Sequence, residues 1–281
     1  VEFDVMKQFL DTLREEYEKK NTLLCFGMDP VIERMRIDPT GRIDVEIYNY
    51  FSGILDVISG KISAVKPNLG FYLQYGQQGL TALTRLIRFS HELELPVIVD
   101  GKIGDIGATS EAYARFVFEL LHGDGLTLSP YLGYDSLAPF FSYTDKGFYV
   151  LALTSNRGAH DFQYTSLDTG IPMYEKVIQE ICAWNKSHRS VGAVVGATHL
   201  EFGDCVGMIK SLGFSLPLLV PGVGAQGGSY QKTLRALHAS GYDPSIVRIN
   251  ASSSISYAHE RYPEHGVEEA ALRAVEDILK K

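Results

Sequence analysis

The sequence predicts an α/β protein, a (β/α)8 (TIM) barrel carrying an extra N-terminal helix. Three observations predict it. Eight short apolar or β-branched runs recur along all 281 residues. Most are continuous rather than alternating, as in strands buried on both faces, and helix-periodic segments separate them. Strands alternating with helices make a parallel sheet, because each crossover must return to the same edge. An open doubly wound sheet is the rival, but the first strand runs into Gly27-Met28-Asp29-Pro30, with no GxGxxG fingerprint.

In chain order, the amphipathic stretch Val5–Lys20 supplies the extra helix and Leu23–Gly27 the first strand. Ile62–Lys66 is the second, and the helix Leu80–Glu92 leads to the third, Pro96–Lys102. Glu111–Leu121 leads to the fourth, Gly125–Ser129, followed by the fifth, Gly147–Leu153. Met173–Lys186 precedes Val191–Gly196, and Leu216–Val220 is the seventh strand. Tyr230–Ala239 crosses to the eighth, Ile246–Asn250, and Val267–Leu279 is a helix beyond it. No composition shift, repeat or linker divides the chain, so a single domain over residues 1–281 is expected.

A formal net charge of −8 argues against nucleic acid and anionic membrane as partners, without bearing on a small anionic substrate. The longest apolar runs, Val191–Ala197 and Leu216–Val220, are far too short to span a bilayer, and the N-terminus has no signal-peptide core. Cys25, Cys182 and Cys205 are scattered and odd in number, which fits buried thiols in a reducing cytoplasm.

Barrel chemistry sits at the C-terminal ends of the strands. Those positions carry Asp29, Lys66-Pro67-Asn68, Asp100-Gly101-Lys102-Ile103-Gly104-Asp105, Ser129, Thr154-Ser155-Asn156, Thr198 and Ser252-Ser253-Ser254. Asp100 and Lys102 are two apart and face the same side of a strand. Lys66 comes from the neighbouring strand and Asp105 from just past the strand end, so lysines and aspartates are expected to alternate in one cluster. A buried ion pair that only fixes the barrel is the plainer reading, but such pairs stabilise little. A lysine among carboxylates stays protonated, which makes it a poor base and a good proton donor to a carbanion. A carboxylate held against a substrate carboxylate disfavours the ground state. Together these suit loss of carbon dioxide followed by protonation.

The seventh strand runs into Gly222, Gly224, Gly227 and Gly228 around Gln226, glycines that let backbone N–H groups approach an anion where barrels bind phosphate. His91, His122, His188 and His238 fall on helices or near their ends; His160 and His199 follow strands but nothing pairs with them. HExxH, a serine-nucleophile elbow and clustered His/Cys are absent, so no required metal is expected.

Gly27-Met28-Asp29-Pro30, Lys66-Pro67-Asn68, Asp100-x-Lys102-x-x-Asp105-Ile106-Gly107-x-Thr109 and Pro221–Gly228 together resemble the orotidine 5′-phosphate decarboxylases. The longer bacterial subfamily is the nearer likeness, through Pro130-Tyr131-Leu132-Gly133 and Thr154-Ser155-Asn156. The resemblance runs from about Leu23 to Ile255. It implies that Lys102 protonates carbon six of the pyrimidine, Asp100 sits against the departing carboxylate, and Lys66 and Asp105 complete the charge network. Asp29 and Thr109 would hold ribose hydroxyls, Ser155 the pyrimidine, and Gln226 with Gly227 and Gly228 the phosphate; Asn68 and Ser253 would also line the substrate. It further implies a cofactor-free homodimer in which Asp105–Thr109 reaches the partner's site.

Four positions depart from that pattern: Ser253 replaces a phosphate-binding arginine, Ile103 replaces an arginine, Arg157 stands where proline is expected, and Ser129 where asparagine is common. Phosphate affinity is then weakened, or a cation such as Arg157 compensates. Two other functions stay open. A magnesium-dependent sugar-phosphate enzyme of the same barrel type would want an acid where Ile98 stands, and a divergent barrel could bind a nucleotide without turning it over.

Overall fold

A computed structural model describes residues 8–37, 41–198, 202–224 and 227–280. These residues contain eight strands: β1 (Leu24–Met28), β2 (Ala64–Pro67), β3 (Ile98–Ile103), β4 (Gly125–Leu128), β5 (Gly147–Leu153), β6 (Val191–Val195), β7 (Leu218–Pro221) and β8 (Val247–Ala251). All run parallel in the order β2-β1-β8-β7-β6-β5-β4-β3. The outer two meet through parallel bridges Val65↔Val97 and Asn68↔Asp100, so the sheet closes into the expected barrel. β1, β6 and β8 are buried along their whole length, and in β1 and β6 this is the reason the sequence reads as an unbroken apolar run.

Cys25, Ala64, Ile98, Tyr149, Val194 and Leu219 pack as an apolar plug inside the barrel. The extra helix, Phe9–Lys20, closes the end opposite the strand C-termini by adding Phe9 and Leu13 to that plug. Phe9 meets Tyr149 edge-on with ring centroids 6.0 Å apart. It presses so closely on β5 that a Cβ at Gly147 would lie 2.1 Å from its ring. Arg248 of β8, 0% exposed, donates to the carbonyls of Ser63 (3.3 Å), Ser245 and Val247 (2.9 Å each) and Leu13.

The β3–β4 pairing is irregular. Val99 pairs with Leu126 and Ile103 with Leu128, which leaves Asp100, Gly101 and Lys102 opposite Thr127 alone. The chain bulges there, and bulges re-aim side chains beside active sites. The helix expected over Glu111–Leu121 starts earlier, at Gly107, and its last turn, Phe116–Leu120, is π-helical. All three cysteines are buried, and none forms a disulfide among the described residues. No helix among the described residues is long and apolar enough to cross a membrane.

Candidate active site

The bulge delivers its charges to the barrel mouth. Asp100, 7% exposed, accepts from Lys66 Nζ at 2.7 Å through one oxygen. Its other oxygen accepts from Lys102 Nζ at 2.7 Å and from Thr127 Oγ1 at 2.8 Å. Lys66 is 4% exposed, whereas about half of the Lys102 side chain reaches solvent. One carboxylate thus bridges a buried ammonium and an accessible one.

Burial alone would push the Asp100 carboxyl up; the Lys66 and Lys102 ammoniums outweigh it and hold Asp100 well below the usual carboxylate range. Burial would likewise lower Lys66, but the Asp100 and Asp29 carboxylates reverse this and keep it protonated well past neutrality. Asp29, at the end of β1, goes the other way: burial holds it above its ordinary value, and Lys66 and Ser252 offset this only in part. Its Oδ1 is buried without a hydrogen-bond partner. Beneath the row, burial pushes the Cys25 thiol up to about 12, leaving it protonated and inert.

These groups line a cavity of about 530 Å³ that opens at the C-terminal ends of the strands. Asp29, Lys66, Asn68, Asp100, Lys102, Ser155 and Ser253 all border it, so the structure brings these expected residues together. Asn68 also caps the helix Leu69–Leu73 by accepting from Gly70 N–H at 3.1 Å, which holds it at the rim. Ser155 sits on a loop fixed by Gln163, which accepts from Thr154 N–H and donates to Thr154 Oγ1. Thr127, Asn250 and Gln163 line the cavity too, yet none stood out in the sequence. Their only signal is an inward register on a strand or a place in the loop after β5.

Asp105 does not join the row within one chain, which corrects the expectation of a single alternating cluster of four. Its carboxylate accepts from the neighbouring Ile106 N–H at 2.8 Å, and neither it nor exposed Thr109 borders the cavity. Lys102 points back to Asp100 while Asp105 is carried off by the turn into Gly107, so three residues of sequence are a poor measure of distance here. The fourth charged member beside Lys66, Asp100 and Lys102 is instead Asp29, whose carboxylate acts on Lys66.

The glycine loop after β7 folds on itself. Gly228 N–H donates to Gly222 O at 3.0 Å, and Gly227 N–H to Gly224 O at 3.1 Å. Gly224 has φ +90°, and a Cβ there would lie 2.4 Å from Ser254 Oγ, so only glycine fits. Gly227, Gly228, Ser253 and Ser254 border a second cavity of about 530 Å³, with Arg34 on its wall. Ser253 touches both cavities. Arg157 borders neither; it is exposed beside Gly158, His160 and Asp161. Gln226 and His199 lie outside the described residues.

A parallel barrel with a lysine–aspartate–lysine row in its mouth and a glycine loop beside it defines a barrel enzyme built around an anionic ligand. Residues 22–257 match the pattern of the family described as "Orotidine 5'-phosphate decarboxylase / HUMPS family", and the chain belongs to that family. It is 38% identical over 278 residues to the orotidine 5′-phosphate decarboxylase of Thermomicrobium roseum, covering 97% of this chain and 95% of that one. Among solved structures, the orotidine monophosphate (OMP) decarboxylase of Leishmania donovani superposes with a TM-score of 0.78 at 32% identity, covering 97% of this chain and 98% of that one. The uridine monophosphate (UMP) synthase of the same organism matches with a TM-score of 0.80 at 33% identity; the match covers 97% of this chain but spans only 56% of that longer one.

Proposed function

We propose that this chain is a carbon–carbon lyase that converts orotidine 5′-monophosphate to uridine 5′-monophosphate and carbon dioxide. The observation that carries the reading is the Lys66–Asp100–Lys102 row, each contact 2.7 Å, at the mouth of a barrel whose relatives bear the decarboxylase name. Asp100 faces the substrate carboxylate and disfavours it electrostatically. The bond from carbon six to that carboxylate breaks, its electron pair stays on carbon six, and carbon dioxide leaves. The Lys102 ammonium then gives its proton to carbon six and regains one from solvent. Lys66, buried and held charged by two carboxylates, keeps Asp100 ionised throughout. No step calls on a metal or an organic cofactor.

Asp29, Asn68, Thr109, Ser155 and Ser253 are the proposed substrate contacts, with Gln226, Gly227 and Gly228 at the phosphate. Asp105–Thr109 is proposed to complete the site of a second copy. Support for this is that Asp105 has left its own row and that Ile106 beside it is 61% exposed, an apolar side chain in search of cover. Three reduced, buried cysteines suit a cytoplasmic setting. The magnesium-dependent alternative is not favoured, since Ile98 packs into the apolar plug where that chemistry wants an acid.

Purified protein incubated with orotidine 5′-monophosphate should show the fall in pyrimidine absorbance, with and without chelator. Lys102→Ala should lower kcat by about 10³-fold or more, the scale of a lost general acid. Turnover that persists in Lys102→Ala would remove Lys102 as the donor, and turnover that vanishes with chelator would favour metal chemistry.

A further inference from the structure

Lys102 occupies a conformation that its own sequence does not favour. Its φ is +47°, in the left-handed region that side chains other than glycine rarely enter. Such backbone persists only where the surroundings over-determine it, and it gathers at functional sites. The bulge removes the regular partner that β4 would offer: three residues of β3 face one of β4. The amide of Lys102 therefore needs an acceptor that the ladder no longer supplies.

Thr127 is that single opposing residue, and its hydroxyl meets the need. Its Oγ1 accepts from Lys102 N–H at 2.9 Å and donates its proton to Asp100 at 2.8 Å. The Asp100 oxygen it reaches is the one that also accepts from Lys102 Nζ. Thr127 itself is 1% exposed, so its hydroxyl rather than bulk water makes both bonds. One hydroxyl thus ties the backbone of one site residue to the carboxylate that aims its side chain.

Resting on the decarboxylase reading, we infer that Thr127 is a positioning residue: it locks the Lys102 backbone and the Asp100 carboxylate in the one arrangement that points the ammonium at the reacting carbon. Valine at this position keeps the branched shape but can neither accept nor donate. Lys102 N–H then loses its acceptor and Asp100 one of its donors, and the left-handed residue is free to relax. Serine keeps both bonds and loses only a methyl.

The test compares Thr127→Val and Thr127→Ser with the unmodified protein by steady-state kinetics, thermal unfolding and amide hydrogen exchange at Lys102. Thr127→Val should lower kcat by about 30- to 100-fold, the scale of a displacement near 1 Å at a reacting group. KM should stay within about threefold, because the proposed binding contacts are untouched. Thr127→Ser should restore most of kcat, and protection of the Lys102 amide should be lost in the valine variant and kept in the serine one. Unchanged kcat with a protected amide in Thr127→Val overturns the inference. Equal losses in both variants also overturn it, since the methyl and not the hydroxyl would then be responsible. If the valine variant does not fold, Thr127→Ala, which adds no bulk, takes its place. An unmodified protein that leaves orotidine 5′-monophosphate intact would refute the decarboxylase reading instead, and the exchange of the Lys102 amide would still decide whether Thr127 holds it.

Discussion

Two buried cations occupy opposite ends of this barrel, and they are kept charged by different means. At the mouth, Lys66 meets a carboxylate, and that carboxylate is shared with half-exposed Lys102. At the floor, Arg248 meets four main-chain carbonyls from three places in the chain, and among the described residues no carboxylate is ion-paired with it. Carbonyl dipoles belong to fixed backbone and have nowhere to go, so Arg248 acts as a rivet between β8, the start of β2 and the N-terminal helix. The Asp100 carboxylate is held in place but borders the cavity, so its charge faces whatever enters there. A charge satisfied by dipoles holds structure, and a charge satisfied by another shared charge is available for chemistry.

The comparison breaks most readily at the floor. Arg248→Met keeps much of the volume but strands several buried carbonyls, and should cost about 3–5 kcal/mol of unfolding free energy. Activity per folded molecule should be unchanged, because the apolar plug of Ile98, Tyr149 and Leu219 separates Arg248 from the cavity. Chemical denaturation alongside kcat checks both halves. A variant as stable as the original, or one that folds but turns over slowly, would end the division of labour between the two ends.

The mouth is sharpened by pH. Asp100 has a depressed pKa in the folded protein. Its contribution is fully present above the unfolded value near 4 and drains away as the pH falls towards the folded value. Asp29 has the opposite sign: held above its ordinary value, it favours its proton in the fold and partly opposes that loss. Asp100→Asn should remove about 2–3 kcal/mol of acid-dependent stability between pH 5 and pH 2, flattening the plot of stability against pH. A slope identical to that of the unmodified protein would mean that other carboxylates set the acid limit.

Much of this architecture is legible in the sequence, for a physical reason. A parallel barrel buries both faces of its strands, so Gly147–Leu153 and Val191–Val195 read as unbroken apolar runs, and the polar residues that end them mark the working face. Arg248 is not legible. One arginine in Val247–Ala251 looks like a solvent-facing position, and what makes it buried is the carbonyl of Leu13, 235 residues away in sequence. The Asp100–Lys102 bulge is equally silent, because a lysine at φ +47° leaves no local mark beyond the adjoining Gly101. Asp105 misleads for the same reason: sequence proximity to Lys102 suggests one cluster, and the bulge and the turn into Gly107 separate them.

The smallest expected effect concerns the glycine-loop end of the mouth, where Ser253 stands at the position for which the family resemblance leads us to expect an arginine. Ser253 borders both cavities, so a longer side chain there has room to extend towards Gly224, Gly227 and Gly228. The cation already present does not fill the role. Arg34 stacks over the Tyr257 ring at 4.0 Å and is held by Glu260 through bonds of 2.8 and 2.6 Å, so its charge is answered locally. Arg157 lies outside both cavities. The loop's own glycine N–H groups are partly spent on the loop, as Gly227 and Gly228 show. Ser253→Arg should therefore add a planar, uncompensated charge beside a phosphate, and lower KM for orotidine 5′-monophosphate about tenfold, or about 1.4 kcal/mol, with kcat nearly unchanged. The gain should shrink as salt rises, because an accessible charge is screened. An unchanged KM would mean that serine and backbone already satisfy the phosphate. A fall in kcat would place residue 253 nearer the reacting ring than its position after β8 suggests.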